Sequence, residues 1–323
     1  MLFASIALAA LAVLLAWPVP LLLSSASWPG RAPATALILW QAIALAGGLA
    51  MIGALLTFGL LPFGDDLVDG SAGLVEATRT GEAGDVRLLP HVLALCGAVL
   101  LGGHLILNLL LTAGRTERDR RHHRRLVELL STRDPDRPGG RILDSAVPFA
   151  YCLPAAAAPL TVYSEGLLEL LSEEEVRAVI AHEQGHLSQR HDLVLVAFRA
   201  WNVSLPWFPV ASRAERAVGT LVEMLADDQA RRSVADATLA RAIAVLGGAA
   251  IHVTSTASDL RPGRLGPDWD RAIPDSLARV QRLTTPRPPL SASASSATVF
   301  AAVGLLAIPT LVLLVPAVSR LAG

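Results

Sequence analysis

Residues His182, Glu183 and His186, spaced as H-E-x-x-H, are the part of this 323-residue chain best equipped for chemistry. They lie in Ser172–Gln189, a segment that reads as helix on independent grounds. Ser172 followed by Glu175 is a capping-box start, and Glu173 and Glu174 add negative charge to the first turn. Val176, Val179, Ile180 and Leu187 supply apolar positions at helical spacing. Two histidines four apart on a helix project from one face, so both imidazoles reach a single Zn²⁺. Glu183 falls beside that ion rather than on it, where its carboxylate takes a proton from an attacking water. A polar patch on a surface helix would carry the same letters, but it would need neither the helix start nor a further ligand downstream.

A catalytic zinc keeps three protein ligands and one open position. Glu223 is the candidate for the third, 223 − 186 = 37 residues after the second histidine, which is enough chain to turn and bring a second helix back. Ala214, Ala217, Leu221, Met224 and Leu225 give that region helical spacing, with Arg231 and Arg232 in a later turn. Asp227 lies one turn on from Glu223, where a carboxylate orients a ligand histidine through its far ring nitrogen. Asp228 reads as solvated.

H-E-Q-G-H followed by E-M-L-A-D resembles the membrane-embedded gluzincin peptidases that carry H-E-x-x-H and then E-x-x-x-D. Three further stretches narrow the likeness: Val147–Pro154, Leu160–Leu167, and the Ser172 helix running into Arg190-His-Asp192. With them, residues 90 to 318 resemble the BlaR/MecR-type antirepressor metallopeptidases. Ala226 stands where many relatives have cysteine, and an extracellular penicillin-binding sensor domain is not expected. The resemblance implies a minigluzincin fold whose strand ahead of the metal helix binds substrate backbone as an added strand. Leu160, Thr161, Val162 and Tyr163 stand at that place in the sequence.

Composition demands a membrane. The chain is 53% hydrophobic and 17% charged, with a mean hydropathy of +0.50. Stretches 2–23, 36–61, 91–113 and 297–318 are long and apolar enough to span a bilayer. The first has no positive n-region and no clear cleavage site, so it reads as a retained span rather than a signal peptide. There is no lysine, and arginine placement sets the orientation. The cluster Arg115–Arg125 follows the third span, whereas loop 62–90 is net acidic, so residues 115–296 are expected in the cytoplasm, with loop 62–90 and the N-terminus outside. The cluster reads as an anchor to anionic lipid, and no direct nucleic-acid binding is expected.

The expected architecture is therefore mainly α: spans 1–3 within residues 1–114, a cytoplasmic α+β zinc-peptidase domain at 115–296, then span 4 and a short tail at 297–323. Inside the domain a basic helix reaches Leu130, residues 131–140 form turns, and Arg141–Asp144, Val147–Leu153 and Leu160–Tyr163 form strands. Leu193–Val210 reads as interfacial or packed in the bundle, Ala237–Val253 as a buried helix, Asp259–Pro274 as a loop, and Pro274–Leu283 as an amphipathic helix. His104 and Asn108 share a face of the third span. His191 is grouped with His122 and His123 as a surface histidine. Tyr163, Arg231, Arg232, Arg241 and His252 are open candidates for stabilising an oxyanion.

The sequence thus points to an integral-membrane zinc endopeptidase of the cell membrane, with Zn²⁺ on His182, His186 and Glu223 and Glu183 as proton acceptor. By resemblance its substrate is a cytoplasmic protein such as a winged-helix repressor, and a homodimer is possible. The alternatives are membrane-protein processing or quality control, as in HtpX and the prenyl-protein peptidases, and a non-catalytic zinc-stabilised membrane regulator. A purely structural site would have no use for Glu183.

Overall fold

The computed structural model describes residues 1–153, 160–206, 209–257, 269–285 and 287–321. It is mainly helical with one small sheet. The chain opens with α1 (Leu2–Ala16) and α2 (Pro18–Ser25), which together form the first apolar stretch. The break falls at Trp17 because Pro18 has no N–H to continue the ladder of α1 and takes the first-turn position of the next helix. α3 (Pro33–Gly59) follows, and then α4 (Leu67–Thr80) inside the acidic segment expected as a loop. Asp66 caps α4 by accepting from Val68 N and Asp69 N at 2.8 and 2.9 Å, and Gly81 ends it with φ 82°. α5 (Leu89–Leu130) runs the third apolar stretch and the arginine cluster into one 42-residue helix. No proline interrupts it after Pro90, and Glu117–Arg121 and Arg124–Glu128 pairs tie its polar half at i,i+4.

Beyond α5 come β1 (Ser131–Arg133), β2 (Gly140–Leu143), β3 (Ala150–Leu153) and β4 (Leu160–Ser164), with strand order β1-β2-β4-β3. β1 occupies residues expected as turns, and Asp134 and the left-handed Gly139 (φ 83°) shape the connection to β2. β2 and β4 are parallel, and the outer pairings are antiparallel. The helices that follow are α6 (Glu165–Leu170), α7 (Glu173–Ser188), α8 (His191–Ser204), α9 (Pro209–Ala230), α10 (Asp236–Ala257), α11 (Trp269–Thr284) and α12 (Ala292–Leu321). The expected connection Pro154–Pro159, most of the expected loop Asp259–Pro274, and Trp207 and Phe208 lie outside the described residues.

Two compact units result. The first holds Met1–Thr112, Phe198–Val218 and Leu290–Gly323. Among the described residues four segments are long and apolar enough to cross a membrane: Leu2–Ser25, Pro33–Gly59, Val86–Leu130, whose part beyond Thr112 belongs to the second unit, and Ala292–Val315. Small residues let the helices of the first unit approach: Ala50 packs with Leu8 and Ala12 and against Val312 and Leu313, and a Cβ on Gly53 would lie 3.1 Å from both Leu8 and Leu313. His104 reaches the backbone carbonyl of Ser204 at 3.1 Å and is met by Asn108, so these two polar residues bond within this helical unit.

The second unit holds Ala113–Ala197 and Gly219–Pro289. Its sheet has apolar groups on both faces, as alternating side chains require. Val127 of α5 packs with Leu153 and Val162 on one face. On the other, Tyr163 packs with Leu167 and with Val176 and Val179 of α7, beside Ala242 of α10. Behind α7, Ala178 joins Ala230, Leu239 and Leu283, so α9, α10 and α11 pack as one body around the metal-motif helix.

Candidate metal centre

α7 carries the motif. Ser172 caps it reciprocally with Glu175, Val176 and Val179 pack in the core beside the sheet, and His182 and His186 come out one turn apart farther along the helix, on the stripe that continues from Val179. α9 supplies the facing carboxylates. The two helices come together at Gly185, where an added Cβ would lie 3.1 Å from Ala226 O and 3.2 Å from Ala226 Cα. Glycine at 185 and a small side chain at 226 therefore set how closely Glu223 approaches the two imidazoles.

The result is a converging donor set. His182 Nε2 and His186 Nε2 are 3.1 Å apart, and Glu223 oxygens lie 3.3 Å from each. Donors at zinc bond lengths of about 2.0–2.2 Å, placed tetrahedrally, are separated by about 3.3–3.5 Å. One carboxylate oxygen faces each ring, Oε2 toward His182 and Oε1 toward His186, both near that spacing, and two imidazoles with one carboxylate are a set that suits zinc. The remaining nitrogens of both rings are held: His182 Nδ1 by Asp227 Oδ1 at 2.9 Å, and His186 Nδ1 by His191 Nδ1 at 3.2 Å. Histidine ligands in metal sites are oriented in this way through the nitrogen away from the ion.

A third helix adds a cation to the site. Arg279 of α11 forks onto Asp227, with Nε to Oδ2 at 2.8 Å and Nη2 to Oδ1 at 2.7 Å, and its Nη1 reaches Glu223 Oε2 at 2.9 Å. Arg282, one turn on, forks onto Asp228 at 2.8 and 2.7 Å, so Asp228 is a salt-bridged group rather than a solvated one. The signal for Arg279 was faint: it precedes Leu283 by one turn on the packed side of an amphipathic helix, and a cation there requires a buried anion. His191, a surface histidine by its sequence context, is not one. It is 2% exposed and packed edge-on against His186.

Electrostatics follow from this geometry. Burial works against the charged form of Glu223, but bonds from both histidines and the Arg279 charge outweigh it and hold the carboxyl far below its usual range. Asp227 is likewise held low against burial by Arg279 and His182. Burial disfavours a charged His182, yet the carboxylates of Asp227 and Glu223 raise that ring, in the metal-free protein, to about 9. Burial, followed by the neighbouring His186, pushes His191 down to about 4, so it stands neutral. Burial pushes the Glu183 carboxyl above its ordinary value, against the pull of His182 and His186. A carboxylate made more basic beside a metal-ligand set is suited to accept a proton.

Leu160–Tyr163 cannot receive an added strand, because β4 is paired by β2 on one side and β3 on the other. Strand addition needs a free row of backbone groups, and in this sheet β1 and β3 are the edges. Most oxyanion candidates are also engaged elsewhere. Tyr163 is fully buried and donates to Asp134, Arg231 pairs with Asp236, and Arg241 lies against Glu175. Arg232 is exposed, and the side chain of His252 lies outside the described ones.

Residues 117–226 match the family model of peptidase family M48, a stretch that includes His182, Glu183, His186 and Glu223. M48 peptidases are metal-dependent, typically through zinc. A protease HtpX homolog of Aeropyrum pernix is 51% identical over 49 residues, which are 15% of this chain and 15% of that protein. The alignment thus spans about a seventh of the length of the curated relative. No solved structure matches the chain.

Proposed function

We propose that this chain is a membrane-bound zinc endopeptidase. The observation that carries this reading is the convergence of His182 Nε2, His186 Nε2 and the Glu223 carboxylate to within 3.1–3.3 Å of one another, with Glu183 next to them. When bound there, zinc supplies Lewis-acid activation of water and of a scissile carbonyl. His182, His186 and Glu223 bind the ion, Asp227 orients His182, and Arg279 holds Glu223 and Asp227 in place. Glu183 accepts the proton of the attacking water and delivers it to the leaving amine.

β3 is the strand that offers a substrate its backbone edge. It packs against α7, the helix that carries Glu183. An extended peptide added there would run past Glu183 with its carbonyls held by main-chain hydrogen bonds. Such a site accepts unfolded or extended segments and reads their side chains weakly.

For orientation, the arginine cluster of α5 and the acidic segment around α4 favour a cytoplasmic zinc site in the cell membrane. Two substrate classes follow. A cytoplasmic repressor is the BlaR/MecR-type reading drawn from the motif neighbourhood. The HtpX homolog likeness favours the second, processing or quality control of membrane proteins. The test is Glu183→Gln, which keeps the shape and removes the proton acceptor. Zinc content of the detergent-purified protein should stay at one per chain, while hydrolysis of an unfolded protein such as casein falls about a hundredfold or more. Hydrolysis at the wild-type rate would exclude the mechanism.

A further inference from the structure

The two ligand histidines are not supported alike. His182 has a carboxylate behind it, whereas His186 has another histidine. This difference matters because only one tautomer of each ring binds metal. His186 points Nε2 at His182 Nε2 and Glu223, so Nε2 must carry the lone pair and the ring proton must lie on Nδ1. That proton needs an acceptor. The atom facing it, 3.2 Å away, is His191 Nδ1, which accepts only when His191 is neutral with its own proton on Nε2. His191 Nε2 lies 2.9 Å from Gln189 Oε1, an amide oxygen that cannot donate. The run of bonds therefore has a single direction: His186 Nδ1–H to His191 Nδ1, then His191 Nε2–H to Gln189 Oε1. Reversal, with the Gln189 amide nitrogen donating, would leave the proton of His186 on Nε2 and block the ligand atom.

We propose that Gln189 and His191 form a neutral relay that fixes His186 in its metal-binding tautomer, making both of them positioning residues for the metal site. This rests on the zinc reading above. The backbone is shaped for it. Arg190, between the two relay residues, has φ 51° and is the only non-glycine with positive φ among the described residues. A left-handed arginine costs of order 1 kcal/mol and persists where the surroundings require it. It stands at the junction of α7 and α8, directly before His191, whose Nδ1 meets His186. Asp192, the next residue, is tied to Arg120 at 2.8 Å, which holds the start of α8 in place. His191 is buried, so water does not compete for its nitrogens.

The relay supports His186 without a second carboxylate. The donor set then carries only the charge of Glu223, with Asp227 neutralised by the Arg279 fork.

The experiment uses the full chain in detergent, with zinc affinity read by competition against a chelator and Co²⁺ substitution read by its visible absorption bands. His191→Leu should weaken zinc by about 10–100-fold and alter the Co²⁺ bands, because the acceptor for His186 is lost. His191→Asn, whose side-chain oxygen takes the place of Nδ1, should recover most of that affinity, which a merely space-filling role would not predict. Gln189→Leu, at an exposed position where folding is not at risk, should weaken zinc in the same direction, whereas Gln189→Glu should not. The relay is overturned if His191→Leu and Gln189→Leu both bind zinc within twofold of wild type with unchanged Co²⁺ bands while His186→Ala does not bind. If His186→Ala itself keeps zinc, the metal site is wrong and the relay falls with it.

Discussion

Removing Arg279 gives the sharpest test of the electrostatic arrangement. Its guanidinium contacts Asp227 twice and Glu223 once, and the side chains of Arg279 and Asp227 are 13% and 1% exposed. Breaking a buried pair by deleting one partner costs about 3–5 kcal/mol. In Arg279→Met the cationic His182 still pairs with Asp227, and the metal-free protein can limit the loss of the second cation by protonating one carboxyl of the Asp227–Glu223 cluster. From an ordinary carboxyl value of 3.8, protonation at pH 7 costs roughly (7 − 3.8) × 1.4 ≈ 4.5 kcal/mol, and at pH 5 roughly 1.7 kcal/mol. The destabilisation should therefore be about 3–4 kcal/mol at pH 7 and shrink to about 2 kcal/mol or less at pH 5. Adding Asp227→Asn, which keeps an oxygen for His182 Nδ1, should restore much of the loss and give a coupling above about 1 kcal/mol. Pulse proteolysis across a urea series, in detergent and with metal chelated, measures all four variants. A loss below about 1 kcal/mol at pH 7, or one of equal size at both pH values, refutes the reasoning.

Three further outcomes are expected. Gly185→Ala pushes a methyl to within 3.1 Å of the Ala226 carbonyl, so α7 and α9 must part by a few tenths of an ångström and zinc affinity should drop about tenfold or more in chelator competition, with fold retained by circular dichroism. In the metal-free protein His182 stands at about 9, above its ordinary 6.5, so its contribution to stability is present below pH 6.5 and is lost as pH rises through 9. Zinc must displace that proton, so apparent affinity should rise about tenfold per pH unit from pH 7 and level off near 9; a flat profile contradicts the assignment. For orientation, an impermeant thiol reagent on intact cells should label a cysteine at exposed Ser71 and spare one at exposed Glu169, with Cys96 and Cys152 replaced; the reverse pattern would invert the topology and exclude a cytoplasmic substrate.

The parts of this protein legible in the sequence are those set by neighbouring residues. The pairing of His182 with His186 on one face follows from helical periodicity, and the start of α7 from the Ser172–Glu175 box. Apolar stretches show themselves by length, although Pro18 splits the first of them. Glu223 and Asp227 were legible as a pair because they also lie one turn apart on a helix. Other features depended on where distant segments meet. Leu160–Tyr163 read correctly as a strand, yet only its partners β2 and β3 show that it is central and that β3 is an outer strand beside it. Arg279, 279 − 223 = 56 residues beyond Glu223, carries no local mark of its two carboxylate partners. His191 reads like any polar histidine until packing sets its Nδ1 against His186. Periodicity and capping are encoded over a few residues, where sterics and backbone hydrogen bonds decide. Strand order, buried ion pairs and ring-to-ring contacts are decided only when the whole chain has packed.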